Sequence, residues 1–337
     1  YKEINMTNIK KIGLSALAGA LAMTSAHAGA ISVTGNMEVS YTKGSGYQDT
    51  GNPLGQNNEL TFTGSGELDN GVTVAYKNTT TDTALGNDSE LVFGNILGGT
   101  LAFQSTGSPL DGIDNKTPTA FKDAEGMVGS IQDVTGANGD FGIRYTLSDI
   151  GGSGFKLDYN YVPKHGTGDA TGDEGFSGGG AGNKDAHDIT LTGAVPGIDG
   201  LSIGAGYANK SYDNKVDSDT DFHAGTVYAT YAYGPLTLGY QVGGVSVGTS
   251  GDQSYRNDYL GISYAVSDDL SLSYNRTESV KHANQATIRS EQDWDSVSAS
   301  YSMGGMTINV ADSDCDNCSY TSARKQSETT VSLTVAF

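Results

Sequence analysis

Apolar and polar residues alternate one by one along most of this chain. From Ile31 onward Val33, Met37, Val39 and Tyr41 interleave with Ser32, Thr34, Asn36, Glu38, Ser40 and Thr42, and Gly35 takes the remaining apolar-face position. A period of two marks a β-strand with one face in an apolar medium and the other in water. Soluble sandwiches alternate as well, but over strands of roughly five or six residues. Here the runs last about ten residues, the length of a strand that crosses a bilayer. The pattern predicts sixteen strands: 31–42, 59–68, 72–80, 89–95, 100–106, 138–147, 155–162, 186–195, 201–211, 221–233, 236–246, 255–266, 270–281, 292–302, 306–312 and 326–337.

The connections alternate too. Longer ones (43–58, 81–88, 107–137, 163–185, 212–220, 247–254, 282–291 and 313–325) interleave with short ones such as Asp69-Asn70-Gly71, Gly234-Pro235 and Met303-Gly304-Gly305. Asn-Gly and Gly-Gly pairs supply the positive φ angles that tight hairpins need. Short turns at one end and long loops at the other describe an all-β, antiparallel, up-and-down transmembrane barrel. The first and last connections are both long, so both termini fall at the short-turn end and the strand number is even. No fixed sequence period suggests a solenoid.

The N-terminal stretch has a different character. Lys10 and Lys11 precede the apolar run Ile12–Met23, and Ala26-His27-Ala28 follows. A basic start, a short apolar run and small residues at the exit make a secretory signal peptide. The run is shorter than the ~20 residues a membrane helix needs. The expected organisation is therefore residues 1–28 as upstream residues plus a leader cleaved after Ala28, with translation starting at Met6, and a single barrel domain over 29–337.

Charge and cysteine change the picture little. The net charge is -20, and losing residues 1–28 takes it to about -22. Acidic chains poor in branched aliphatics border on disorder, but nineteen tyrosines argue against that reading. Tyr41, Tyr76, Tyr145, Tyr161, Tyr207, Tyr231, Tyr264, Tyr274 and Tyr301 fall near predicted strand ends, as in an interfacial aromatic girdle. Such an acidic chain has no electrostatic footprint for nucleic acid. Cys315 and Cys318, the only two cysteines, are too few for a zinc site; in an exported chain a local disulfide is the expected reading.

The last predicted strand places Thr329, Val331, Leu333, Val335 and Phe337 on one face and ends on the aromatic residue. With the leader, strand number and loop alternation, this resembles the general Gram-negative porins, nearest to those of alphaproteobacteria, over the whole chain. The acidic Pro-Glu-Phe-Gly-Gly signature of enterobacterial porins is absent, and the loop holding Pro109-Leu110-Asp111-Gly112 matches by position only. The resemblance implies a sixteen-stranded homotrimer in the outer membrane, in contact with lipid bilayer and lipopolysaccharide. It also implies a terminal strand (Val331, Leu333, Val335, Phe337) read by the barrel-assembly machinery, and a water-filled channel for passive diffusion of small polar solutes.

A constriction is expected in the third long connection, Gly107–Ala137. It carries Asp111, Asp114, Lys116, Lys122, Asp123, Glu125 and Asp133, and also Leu110, Ile113, Phe121, Met127, Val128 and Ile131. Loops of this length are functional or disordered, and a solvated loop would have little use for those apolar residues. The resemblance implies that it folds inward; an external loop against a neighbouring subunit is the other reading. Strand phase points Lys77, Arg144 and Lys156 into the lumen with Glu38, Glu67, Asp158 and Lys210. The three cations are candidates for a basic wall facing the loop acids, or they pair with nearby carboxylates and fill space. Rings of side-chain charge set selectivity, and the acidic balance predicts a weak cation preference.

Other readings follow from the same residues. Gly166–Glu174 offers oxygen ligands for calcium without EF-hand spacing, or is a solvated surface loop. No cofactor or resident metal is otherwise expected. The few histidines come without a G-x-S-x-G motif or a serine–histidine–acid grouping, so no enzyme is expected. A substrate-selective porin and a secreted acidic β-rich adhesive protein remain the alternatives.

Overall fold

The computed structural model describes residues 31–46, 51–81, 84–122, 131–137, 140–166, 183–212, 221–247, 253–282 and 289–337. The predicted leader, Asp123, Glu125, Met127, Val128 and residues 167–174 lie outside them. Among the described residues sixteen strands follow one another: β1 (Ser32–Gly46), β2 (Leu54–Glu67), β3 (Thr73–Thr81), β4 (Ala84–Ile96), β5 (Gly99–Gln104), β6 (Gly142–Leu147), β7 (Phe155–Val162) and β8 (Asn183–Ala194), then β9 (Leu201–Tyr212), β10 (Phe222–Tyr233), β11 (Leu236–Val247), β12 (Gln253–Ala265), β13 (Leu270–His282), β14 (Arg289–Met303), β15 (Met306–Asp316) and β16 (Lys325–Ala336). Each pairs antiparallel with its sequence neighbours, and β1 pairs with β16 to close the barrel. Closure leaves no strand edge, so the backbone groups of every strand face a neighbouring strand on both sides, as a span through hydrocarbon requires.

The seam is continuous from Asn36 opposite Ala336 to Gly46 opposite Gln326. Below it Gly35 and Phe337 exchange both backbone hydrogen bonds at 2.9 Å. Both termini of the barrel therefore sit at the end that carries the short turns. There Gly71 (φ 81°), Gly98 (φ 83°) and Gly304 (φ 62°) adopt left-handed backbone that a side chain would oppose.

Burial is inverted relative to a soluble sheet protein. Val227 is 55 % exposed and its neighbour Thr226 only 4 %; Val297 is 60 % exposed between Ser296 and Ser298 at 1 % and 2 %. Apolar side chains face outward all round the barrel, and polar ones face in. Tyr41, Tyr76, Tyr207, Tyr231, Tyr264, Tyr274 and Tyr301 all stand on the outward face. Tyr145 donates its hydroxyl to the carbonyls of Ile96 (3.1 Å) and Leu97 (3.0 Å) at the short-turn end. None of the described helices is long and apolar enough to cross a membrane.

Strand ends depart from the alternation chiefly at the long-connection end. The ladder begins at Leu54, not 59, and at Arg289, not 292; β15 runs on to Asp316. In these stretches both faces are polar, as in Gly55-Gln56-Asn57-Asn58, so the period of two fades while backbone pairing continues. Three strands are shorter than predicted, β5 and β10 by one residue and β6 by four. β6 starts at Gly142 because Asp140 and Phe141 belong to the connection, where the Asp140 carboxylate accepts the Gly166 N–H at 2.8 Å.

Candidate functional site

The connection between β5 and β6 spans 105–141, and its described parts lie against the inner wall of the barrel. Gly206 of β9, Gly239 and Gly243 of β11 and Gly261 of β12 share the inward phase of their strands. A Cβ on any of them would collide with the connection: with Leu110 at 2.7 Å and Ile113 at 2.8 Å, Pro118 at 2.3 Å, Val134 at 2.6 Å, and Thr117 at 2.7 Å respectively. Four bare backbone positions thus form a shallow trough in which the connection lies. Above it Leu110, Ile113 and Val134 pack with Ala208, Phe222, Ala224 and Val245. Farther round, Ile131 packs on Tyr259, Trp294, Cys315 and Cys318. The barrel's buried apolar contacts are thus between connection and wall. Trp294, the chain's single tryptophan, is part of that floor and is 1 % exposed.

Polar wall residues hold the backbone of the connection. Gln241 of β11 accepts the Lys116 N–H at 2.7 Å and donates to the carbonyls of Ile113 (2.9 Å) and Asp114 (2.5 Å). Asn275 of β13 donates to the Pro118 carbonyl at 3.1 Å, while Ser273 accepts the Ala120 N–H at 2.9 Å. Ser298 of β14 accepts the Phe121 N–H at 3.1 Å. On the return path Asn257 of β12 donates to the Gln132 carbonyl at 2.9 Å, and Tyr259 donates to the Asp133 carboxylate at 2.6 Å. The stem is tied to β8, where Asp188 accepts the Ala137 N–H at 3.2 Å. Asp188 is in turn reached by Asn160 of β7 at 3.1 Å, which accepts from Gln104 at 3.2 Å. A buried backbone group without a partner costs about 1–3 kcal/mol, so these side chains are what allow an irregular segment to lie inside the barrel. The anchors of the loop body run from β8 round to β14, while its ends also meet β4 and β7, where the Ser105 N–H donates to the Ser89 carbonyl at 2.9 Å and Ala137 packs on Val162.

Charge is unevenly distributed as well. Asp111, Asp114 and Asp133 gather on the connection. Burial, and after it the neighbouring Asp133 and Asp111 carboxylates, push the Asp114 carboxyl up to about 7. The two lysines of the connection do not join this group in the same way. Lys116 is exposed and holds the wall through its amide; Lys122 reaches β16, with Nζ 3.9 Å from the Glu328 carboxylate.

Arg144 of β6 and Lys156 of β7 both contact Asp158 of β7. The Arg144 Nη2 is 3.2 Å and the Lys156 Nζ 2.6 Å from the same Asp158 oxygen, and Thr146 donates to the other. One carboxylate with two cations leaves the group net positive. Lys77 of β3, on the same side of the lumen, faces Glu90 across the strand pair. Glu38 accepts hydrogen bonds from Ser332 (3.3 Å) and Thr334 (3.2 Å) across the seam. Lys210 lies among Asp188, Asp140 and Asp111, with its Nζ 4.9 Å from the Phe222 ring centre.

Val331, Leu333, Val335 and Phe337 all point outward beside β1. Cys315 and Cys318 are joined by a disulfide at the far end of β15. Sequence phase identified which wall residues face inward. It missed Gln241, Asn257, Tyr259, Ser273 and Ser298, whose partners are in the connection. The inward glycines were the available signal, since a lumen-facing position in water has no need of a missing side chain.

A sequence profile of the Gram-negative porin family matches residues 13–332. No curated protein matches the chain in sequence. Several solved structures share its fold at low identity. The outer-membrane protein OmpT of Vibrio cholerae superposes with a TM-score of 0.66 at 11 % identity, covering 91 % of this chain and 97 % of its own. Salmonella typhi OmpF gives 0.66 at 14 %, again over 91 % of this chain and 97 % of its own. The anion-selective porin of Comamonas acidovorans gives 0.65 at 13 %, over 91 % and 99 %.

Proposed function

The chain belongs to the Gram-negative porin family and forms an outer-membrane channel, and from that premise we propose a homotrimeric, passive diffusion pore whose constriction is the connection 105–141. The observation that carries this reading is the trough: an irregular, acid-bearing segment held across the inner wall from β8 to β13 by Asp188, Gln241, Asn257 and Asn275. Small polar or charged solutes then pass between Asp111, Asp114 and Asp133 on one side and Lys77 and the Arg144–Asp158–Lys156 group on the other. Side-chain charge at the narrowest point sets ion preference. Three loop carboxylates against a wall that is only weakly positive favour cations modestly. Nothing in this arrangement requires a catalytic step or a cofactor.

The assembly follows the same premise. Export uses a leader cleaved after Ala28, the outward aromatic end of β16 addresses the barrel-assembly machinery, and the outward apolar band meets lipid and lipopolysaccharide. The reading is tested with protein purified from outer membranes and inserted into a planar lipid bilayer under a salt gradient. Long-lived openings in groups of three, with a reversal potential of cation-selective sign, are expected. Folded, heat-modifiable protein that conducts nothing would reject the open pore, and an anion-selective reversal potential would reject the acidic constriction.

A further inference from the structure

We infer that the last long connection is a latch: the disulfide-closed turn after β15 reaches back into the mouth of the barrel and holds the returning half of the 105–141 connection in place. The inference rests on reading that connection as the pore loop, and it assigns a positioning role to Cys315, Cys318 and Tyr320.

The turn between β15 and β16 covers 317–324 and contains a short helical turn, Cys318–Tyr320. Its backbone is unusual. Asn317 (φ 54°), Ser319 (φ 54°) and Tyr320 (φ 56°) all occupy left-handed space without being glycine. Such conformations persist only where surrounding contacts over-determine them. Here the contacts are the Cys315–Cys318 bond, the Asn317 side chain accepting the Ala323 N–H at 2.9 Å, and Gln292 of β14 accepting the Ser319 N–H at 2.8 Å. The result carries the Tyr320 side chain inward over β12 and β13, where its ring lies 5.6 Å from that of Tyr255 and 5.9 Å from the Lys281 ammonium.

Two independent contacts join this turn to the pore loop. One is apolar: Ile131 packs against Cys315 and Cys318, which are 2 % and 0 % exposed, on a floor of Trp294 and Tyr259. The other is a closed ring of hydrogen bonds. The Gln132 N–H donates to the Tyr320 hydroxyl at 3.5 Å. That hydroxyl pairs with Ser279 Oγ at 2.7 Å, Ser279 donates to Asn257 Oδ1 at 2.5 Å, and Asn257 donates to the Gln132 carbonyl at 2.9 Å. Run in that direction, every hydroxyl in the ring donates once and accepts once. Rings of this kind polarise cooperatively. Both backbone groups of Gln132 are thereby clamped, one by the barrel wall and one by the latch. A surface turn has no need of a buried disulfide or of an inward tyrosine; a device that fixes the loop lining the pore needs both.

The latch is tested by hydrogen–deuterium exchange on the full-length protein in detergent, reading the segment 131–137. Cys315→Ser/Cys318→Ser opens the covalent closure. Tyr320→Phe keeps the disulfide and the ring but removes the hydroxyl. Exchange in 131–137 is expected to accelerate roughly tenfold in both variants, the scale of one lost hydrogen-bonded clamp, while both remain heat-modifiable barrels. Exchange within twofold of the unmodified protein in both would overturn the latch. If the double serine variant does not fold, Tyr320→Phe decides alone. The same proteins in planar bilayers should show noisier open-channel current. Asp111→Asn and Asp114→Asn, measured beside them, separate the two readings. Unchanged ion preference in those asparagine variants with accelerated exchange in the latch variants would reject the constriction and keep the latch, and the opposite pattern would reject the latch alone.

Discussion

Gln241 and Lys116 meet with the side-chain oxygen of the first accepting the backbone N–H of the second at 2.7 Å, deep inside the barrel. The two N–H groups of the same glutamine are shared among the Ile113 and Asp114 carbonyls and Thr226 Oγ1, the last at 2.8 Å. One fully buried amide thus satisfies three backbone groups of a segment that has no ladder of its own. Gln241→Leu keeps the volume and strands all three. Leaving buried groups unpaired costs about 1–3 kcal/mol, so amide exchange over 113–118 should rise between about five- and a hundredfold with the barrel itself unchanged. Exchange equal to that of the unmodified protein would mean that the trough alone holds the loop.

Asp114 makes ion preference depend on pH near neutrality. Its carboxyl is raised to about 7 by burial and by Asp133 and Asp111. The folded protein therefore binds this proton more tightly than the unfolded chain does. The associated stability is complete below the ordinary carboxyl value of 3.8 and is lost as pH rises through about 7. For the pore the consequence is opposite in kind: deprotonation above 7 adds a negative charge to the loop. Reversal potentials should show stronger cation preference at pH 8.5 than at pH 5.5, with the change centred near 7. Asp114→Asn should flatten that profile, and a variant that keeps it would place the titration elsewhere.

Much of the barrel can be read from alternation because lipid imposes it. β7 spans 155–162 in both the pattern and the structure, since tight turns or breaks bound it and its outward face is apolar throughout. At Leu54–Asn58 and Asp312–Asp316 the strand rises beyond the apolar band, polar residues take over the outward face, and the pattern ends before the ladder does. The site was legible in part for a related reason. Phase settles which way Arg144 or Asp158 points, because the pleat leaves no choice. It does not settle what an inward residue meets. Gln241 or Ser298 facing water and the same residue under a docked loop look alike in sequence, whereas Gly206, Gly239, Gly243 and Gly261 in the inward phase do not.

The Arg144–Asp158–Lys156 group offers a test of the wall's share in selectivity. Asp158 is 1 % exposed and contacts both cations. Neutralising either cation, by Arg144→Gln or Lys156→Gln, removes one positive charge from the lumen and should move the reversal potential toward cations. Asp158→Asn does the reverse: it exposes two cations to each other and to permeating ions, and should move it toward anions. Removing one member of a buried charge group is also destabilising, so the asparagine variant should show a lower temperature of heat modification. If all three substitutions shift the potential in the same direction, the group does not border the ion path.

Phe337 joins two roles that a single experiment can divide. Its backbone exchanges two hydrogen bonds with Gly35, and its ring lies where a Cβ on Gly35 would meet it at 3.0 Å. As part of the seam it helps close β1 onto β16; as the outward end of β16 it is the proposed address for assembly. Phe337→Ser keeps the backbone pair and removes the ring. If the ring serves chiefly as an address, the variant should reach the outer membrane several-fold less well, yet refold in detergent with a heat-modification temperature within a few degrees of the unmodified protein. If the ring serves the seam, loss in cells and loss of thermal resistance in detergent should run together, because the first and last strands then separate more easily in either setting. A normal yield of folded protein in the outer membrane would exclude the address, whatever the refolded protein shows.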